Sequence, residues 1–314
     1  MLRCAILDDY QNVALTLADW TAVEARSIQE HIDSIDDLVT AIAGDEIVMI
    51  MRERTPFPAE VFARLPKLRL LITSGMRNAS IDLDAARAHG VTVCGTGGFS
   101  TPPTELTWAL ILGLARHLMH ESAAMRAGGP WLTTVGTDLH GATLGLVGLG
   151  KIGSQVAKVA QAFGMDVVAW SENLTRARTG EAGVRLAPSL EALLSESAFV
   201  SVHLVLSERT RGLIGAKELA AMRSDAYLVN TSRAAIVDQP ALIRALESRA
   251  IAGAGLDVFD IEPLPADHPF RALPNVLATP HLGYVTMANY RTYFREAAEN
   301  VTAFLSGAPL RVLT

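Results

Sequence analysis

The amino-acid sequence predicts an α/β fold built as two doubly wound parallel-sheet domains, and three observations predict it. Residues 2–98 alternate short apolar runs with helical patterns, the rhythm of parallel βα units. A second series of the same kind runs from Thr143 to about Ala278. At its head, the stretch Thr143-Leu-Gly-Leu-Val-Gly-Leu-Gly-Lys-Ile-Gly153 joins a strand pattern to a helix pattern through closely spaced glycines. A length of 314 residues favours two domains. With half of the residues hydrophobic and 19% charged, both can bury a core.

In the first series, Cys4–Leu7, Ile47–Met51, Leu70–Thr73 and Val91–Cys94 read as strands, with helices over Pro58–Leu65 and Leu83–His89. Gly95 to Pro103 is rich in Gly, Ser, Thr and Pro and reads as a hinge. One long apolar helix, Glu105 to Met125, is expected next, packed between the domains. The second series has strands at Leu144–Val147, Val167–Trp170, Phe199–Leu204, Ala226–Asn230, Gly255–Val258 and Val276–Ala278. An amphipathic helix, Ala288 to Leu305, follows a second crossing near Tyr284. The expected division is therefore 1–98 plus 286–314 for one domain and 99–285 for the other, with substrate bound in a cleft between them.

The glycine stretch carries the first chemical signal. Gly148, Gly150 and Gly153 have G-x-G-x-x-G spacing after a short buried strand, and from Ser154 the apolar residues recur at helical steps up to a stop at Gly164. Gly148 lets the chain leave the strand sharply, Gly150 has no Cβ to block a pyrophosphate, and Gly153 lets the helix pack closely. The N–H groups at the helix start then face phosphate. Dinucleotide binding follows, with Lys151 and Ile152 lying between the glycines.

Three later segments each place polar residues beside a strand end. In Val229-Asn-Thr-Ser-Arg-Ala-Ala-Ile-Val-Asp238, Arg233 can fork onto a carboxylate and a carbonyl together. Gly255-Leu-Asp-Val-Phe-Asp-Ile-Glu-Pro-Leu-Pro265 offers Asp257, Asp260 and Glu262. In Ala278-Thr-Pro-His-Leu-Gly-Tyr284, His281 sits in a tightly shaped loop, and only the company of an arginine and a glutamate sets it apart from the chain's other histidines.

Taken together, the glycine turn, Asn230-Thr-Ser-Arg233, Leu256-Asp-Val-Phe259 with Glu262-Pro263, and Thr279-Pro-His281 resemble the D-isomer-specific 2-hydroxyacid dehydrogenase family over nearly the whole chain. The resemblance implies a Rossmann cofactor domain, a flavodoxin-like substrate domain, and hydride transfer between a nicotinamide and C2 of a small 2-keto or 2-hydroxy acid. The family's catalytic arginine, glutamate and histidine carry over onto Arg233, Glu262 and His281. Thr231, Asp257 and Gly283 join the glycine turn on the cofactor side. Ser74-Gly75-Met76 resembles the loop whose N–H groups take the substrate carboxylate, and Arg52 either lines the same cleft or is a plain solvated arginine. Glyoxylate or hydroxypyruvate reductases and phosphoglycerate dehydrogenases are the nearest types implied. A formate dehydrogenase is not expected, because that branch carries glutamine where this chain has Glu262. Thr314 follows soon after the last helix, so no C-terminal regulatory domain is expected.

Two departures bear on specificity. Ser171 and Asn173 end the strand where an NAD enzyme usually has an acid for the ribose 2′-hydroxyl. Ser171 leaves room for a 2′-phosphate, with Thr175, Arg176 and Arg178 following, although Glu172 is adjacent. NAD(P) is expected, with NADP favoured. Tyr284 stands where a small residue is common and narrows the substrate pocket on this reading. The competing function is a nucleotide-sensing interaction protein on the same fold, of the corepressor kind.

The remaining composition narrows the partners. A net charge of −6 gives no support to nucleic-acid or anionic-membrane binding. Cys4 and Cys94 are expected as buried thiols. No His or Cys pair has metal-ligand spacing, and His117 with His120 reads as packing on the apolar helix. Asp8 and Asp9 interrupt any secretory apolar core, and no uncharged run spans a bilayer, so a cytoplasmic protein is expected. A homodimer is the expected assembly.

Overall fold

The structure, a computed structural model, describes Met1–Thr314. It divides into one unit of Met1–Phe99 with Val285–Thr314 and a second of Ser100–Tyr284. The first holds β1 (Arg3–Ile6), β2 (Glu24–Ser27), β3 (Ile47–Ile50), β4 (Leu70–Thr73) and β5 (Thr92–Cys94). All pair in parallel in the order β2-β1-β3-β4-β5, the flavodoxin-like winding. The second holds β6 (Thr143–Val147), β7 (Asp166–Trp170), β8 (Arg185–Leu186), β9 (Phe199–Val202), β10 (Tyr227–Asn230), β11 (Gly253–Leu256) and β12 (Val276–Ala278). Their order is β12-β11-β10-β9-β6-β7-β8, again all parallel. This is the doubly wound dinucleotide-binding order with one further strand, and it reverses direction at β6.

The central strands follow from their composition. Ile47–Ile50, Leu70–Thr73 and Phe199–Val202 are buried at every position, as strands covered by helices on both faces must be. In the first unit one core gathers Val48, Ile50, Leu71 and Val93 with Phe57 and Phe62. In the second, two cores lie on opposite sides of the sheet, one around Val200, Leu228 and Leu246, the other around Leu144, Phe199 and Ile111.

The chain returns to the first unit through the helix Met287–Leu305. There, Asn289 and Asn300 are fully buried. Asn289 Oδ1 accepts from Phe99 N–H at 2.8 Å, Glu296 from Gly97 N–H at 2.6 Å, and Asn300 donates to Gly95 C=O at 2.8 Å. Three side chains of one helix thus satisfy the backbone of segment 95–99, which belongs to no strand or helix.

The long helix expected over Glu105–Met125 is instead two, Thr101–Ala115 and Leu118–Arg126. His117 takes a left-handed φ of 50°, and the Ala115 carbonyl accepts from Thr137 N–H at 2.8 Å. A tertiary bond thus competes for the carbonyl that would continue the helix. The break turns His120 out to solvent, where Nε2 pairs with Thr133 Oγ1 at 2.8 Å, so its expected packing role is corrected. Cys4 and Cys94 are buried free thiols whose pKa values burial pushes up, to about 12 and about 11. No helix is long and apolar enough to cross a membrane.

Candidate functional site

The glycine turn comes first because it fixes one end of the sheet edge. The helix begins at Lys151, three residues before the periodicity starts, and runs to Ala162. Gly148 has φ +109°, and a Cβ there would lie 2.7 Å from the His203 carbonyl. A Cβ on Gly153 would strike the Gly148 carbonyl. Gly150, by contrast, faces open space with nothing within 4 Å of where its Cβ would stand. Two glycines are thus demanded by protein contacts, and the third leaves a gap that a side chain would fill. That vacancy lies at the first turn of a helix with exposed Lys151, which suits a pyrophosphate.

At the other end of the same edge, three adjacent strands deliver the polar residues. Arg233 follows β10, Glu262 follows β11 and His281 follows β12. His281 Nδ1 lies 2.6 Å from Glu262 Oε2, and Glu262 Oε1 accepts from Phe259 N–H at 2.9 Å. A carboxylate pinned by its own backbone therefore holds the imidazole by Nδ1–H. The ring is partly exposed. His281 has φ +53°, a conformation costing a non-glycine residue of order 1 kcal/mol that persists only when its surroundings impose it.

Asp257 imposes it. Its carboxylate, 1% exposed, accepts from Thr279 Oγ1 at 2.6 Å, Leu282 N–H at 2.7 Å and Gly283 N–H at 2.8 Å. Burial raises the pKa of this carboxyl, while those three hydrogen bonds and the nearby His281 pull it down. The chain has no glycine at 281 to relax the turn, and the hydrogen bonds from residues on either side of it hold it. Arg233 is held from behind: Asn230 Nδ2 donates to its carbonyl at 3.0 Å, and its own Nη1 donates to Ser232 C=O at 2.8 Å.

Residues 108–283 match the family model described as the NAD binding domain of D-isomer specific 2-hydroxyacid dehydrogenases. The chain belongs to this family. It is 38% identical over 279 residues to a glyoxylate reductase of Aeropyrum pernix, covering 86% of this chain and 82% of that one. It is 35% identical to the D-3-phosphoglycerate dehydrogenase of Bacillus subtilis, across 99% of this chain but 58% of that longer protein. Among solved structures, a putative D-3-phosphoglycerate dehydrogenase from Ralstonia solanacearum superposes with a TM-score of 0.94 at 33% identity, over 100% of this chain and 97% of that one. The chain is thus an NAD-dependent dehydrogenase of the D-2-hydroxyacid type. The corepressor reading is not favoured.

Within this family member the other expected site residues divide into several groups. Gly283 is buried against Asp257, and Thr231 Oγ1 is bonded to Thr107 Oγ1 at 2.8 Å. Both therefore brace the edge, whatever else they touch. Asp260 is not drawn into the His281 cluster: its N–H donates to Gln239, and burial with the charge of Asp238 raises its pKa. Ser171, Glu172 and Asn173 follow β7 in a turn, and the last two are exposed. Arg178 is engaged with Glu181 at 3.2 Å. Tyr284, expected to narrow the pocket, is 6% exposed and packs edge-on against the His281 ring.

In the first unit, Ser74 is buried, and Gly75 N–H donates to Thr96 Oγ1 at 3.0 Å. The N–H groups of this turn are therefore not all equally available to a carboxylate. Met76 is 46% exposed. Arg52 is ordered rather than freely solvated. It has φ +53°, its Nη1 lies over Gly75, and it hydrogen-bonds Tyr293. Asn78 Nδ2 ties the Arg52 carbonyl to Thr73 Oγ1, at 2.7 and 2.9 Å. Sequence reading missed Tyr293, which lies on the returning helix, 241 residues along the chain from Arg52 and with no motif around it.

Proposed function

We propose that the protein is a 2-ketoacid reductase of the glyoxylate or hydroxypyruvate type, with Arg233, Glu262 and His281 as its chemical centre. The observation that carries this is the 2.6 Å contact between His281 Nδ1 and Glu262 Oε2. With Nδ1 engaged by Glu262, proton exchange with substrate is assigned to Nε2 on this reading.

A nicotinamide cofactor, when bound, would supply or accept the hydride at C2 of the acid. Reduction leaves negative charge on the C2 oxygen, and His281 Nε2–H donates its proton there; in the oxidative direction the neutral ring takes it back. Glu262 orients the ring through the bond to Nδ1. Arg233 polarises the carbonyl and holds the carboxylate, so that the substrate sits in one pose. The turn Ser74-Gly75-Met76 and the Arg52 guanidinium are proposed as further carboxylate partners contributed by the first unit. On this reading that unit binds substrate and Ser100–Tyr284 binds the dinucleotide.

Gly148, Gly150, Lys151, Ile152 and Gly153 would hold the cofactor at its phosphates, and Thr231, Asp257 and Gly283 would serve its nicotinamide end. At the ribose, Ser171 and Asn173 favour NADP over NAD, because neither repels a 2′-phosphate. A cytoplasmic homodimer completes the reading. It is supported by the apolar side chains exposed after Leu118, among them Met119, Trp131, Leu132 and Val135, too many in one stretch for an idle surface. A reductase assay over a panel of 2-keto acids with NADH and NADPH tests the proposal. Absence of turnover with every pair overturns it.

A further inference from the structure

We propose that Tyr284 is a positioning residue that fixes the His281 ring, rather than a group that reads the substrate. This rests on His281 being the proton donor proposed above. Nδ1 of His281 is tethered to Glu262 at 2.6 Å, which fixes one point of a flat ring. The plane of the ring is set by what packs against it, and a change of plane swings Nε2 away from the substrate oxygen. Tyr284 packs there. Its ring centroid is 5.6 Å from that of His281 with 74° between the planes, the edge-to-face arrangement aromatic pairs prefer.

Tyr284 is placed for this role. It is 6% exposed, so its bulk is spent on protein. It follows Gly283, whose N–H is bonded to the buried Asp257 carboxylate at 2.8 Å. Asp257 fixes the backbone of the loop, Glu262 one ring nitrogen, and Tyr284 the plane of the ring. A small residue at 284 would leave the backbone as it is and the imidazole loose.

The test uses the full chain with steady-state kinetics and histidine-selective isotope labelling for NMR. Tyr284→Leu is expected to lower kcat about three- to tenfold, the size of an aromatic pair's contribution, with KM for the keto acid changed less than about twofold. Tyr284→Phe keeps the ring and is expected to restore kcat. The His281 ring resonances are expected to shift or broaden in Tyr284→Leu and to match the native protein in Tyr284→Phe. Should the leucine variant not fold, Tyr284→Met fills the volume without a flat ring and is read in the same way. A raised KM at native kcat would place Tyr284 on the substrate and overturn the proposal. So would a phenylalanine variant as impaired as the leucine one, or His281 resonances indifferent to the loss of the ring. His281→Ala is measured alongside. If it keeps native turnover, the reading of the site has failed, while the resonances still report whether Tyr284 holds the ring.

Discussion

The loop after β12 and the loop after β7 leave the same edge of the same sheet, yet they are held in opposite ways. His281 sits in a left-handed conformation fixed by Asp257 through three hydrogen bonds, by Glu262 through one, and by the Tyr284 ring. Ser171 to Asn173 forms an open turn, closed by Leu174 N–H to Ser171 C=O at 3.0 Å, with Glu172 and Asn173 exposed. The difference fits the roles proposed for the two ends. A proton donor, as proposed for His281, must be placed within a few tenths of an ångström, which an over-determined loop provides. Discrimination between a ribose hydroxyl and a phosphate, as proposed for the turn after β7, rests on charge, which acts at longer range and tolerates a looser turn. Substitutions at the first loop should therefore lower the rate, by orders of magnitude at His281 itself, and those at the second should shift a preference.

The largest effect is expected at the tethered ring. His281→Ala should lower turnover by roughly 10²- to 10⁴-fold, the usual contribution of a positioned general acid, while dinucleotide binding followed by fluorescence stays close to native. Native turnover in the purified variant would remove His281 from the mechanism.

Arg233→Lys comes next. Lysine keeps the charge but loses the planar fork. Loss of one charge-assisted hydrogen bond, about 1.5–3 kcal/mol, corresponds to roughly ten- to a hundredfold in kcat/KM. Both a higher KM for the keto acid and a lower kcat are expected. An unchanged kcat/KM would show that Arg233 faces away from substrate.

Glu262→Gln probes the tether itself. The side chain keeps its size but can no longer accept from His281 Nδ1 with a full charge, so the short charge-assisted bond at 2.6 Å weakens to a neutral one. The rate at the optimum should fall about tenfold, with KM for the keto acid nearly unchanged. A native kcat in the purified variant would break the proposed pairing.

How much of this could be read beforehand follows the same division. β3, β4 and β9 announce themselves as continuous apolar runs because helices cover both their faces. β2, Glu24-Ala-Arg-Ser27, carries almost no apolar residue, because it is an edge strand that is never fully buried. The two-residue β8, at an edge of the other sheet, is equally silent. The break at His117 has no Gly or Pro to announce it, and a hydrogen bond from Thr137 decides it. In the site, Arg233, Glu262 and His281 were legible as an ordered set. Asp257 was legible as a member of the set but not as the anchor of the His281 loop. That role depends on where Leu282 and Gly283 point their N–H groups, and a sequence does not record it.

The smallest effect is expected at the open turn. Ser171 brings no carboxylate, so a 2′-phosphate is not repelled there and the hydroxyl can donate to it. Ser171→Asp would supply a ribose acceptor and set a negative charge against the phosphate. Repulsion of about one to three kcal/mol amounts to roughly ten- to a hundredfold in the ratio of kcat/KM for NADPH over NADH. Because Asn173 and Glu172 are exposed, solvent screens the new charge, and the lower end of that range is expected. The rate with the better cofactor should barely change, since the chemistry sits at the other end of the sheet edge. Glu172→Arg should move the ratio the opposite way by adding a phosphate partner. If Glu172 instead turns back to the ribose, the native enzyme will prefer NADH and Ser171→Asp will change little. Measuring kcat/KM with both cofactors for the native enzyme and the two variants decides this, and a native preference for NADH of about tenfold or more would end the NADP assignment.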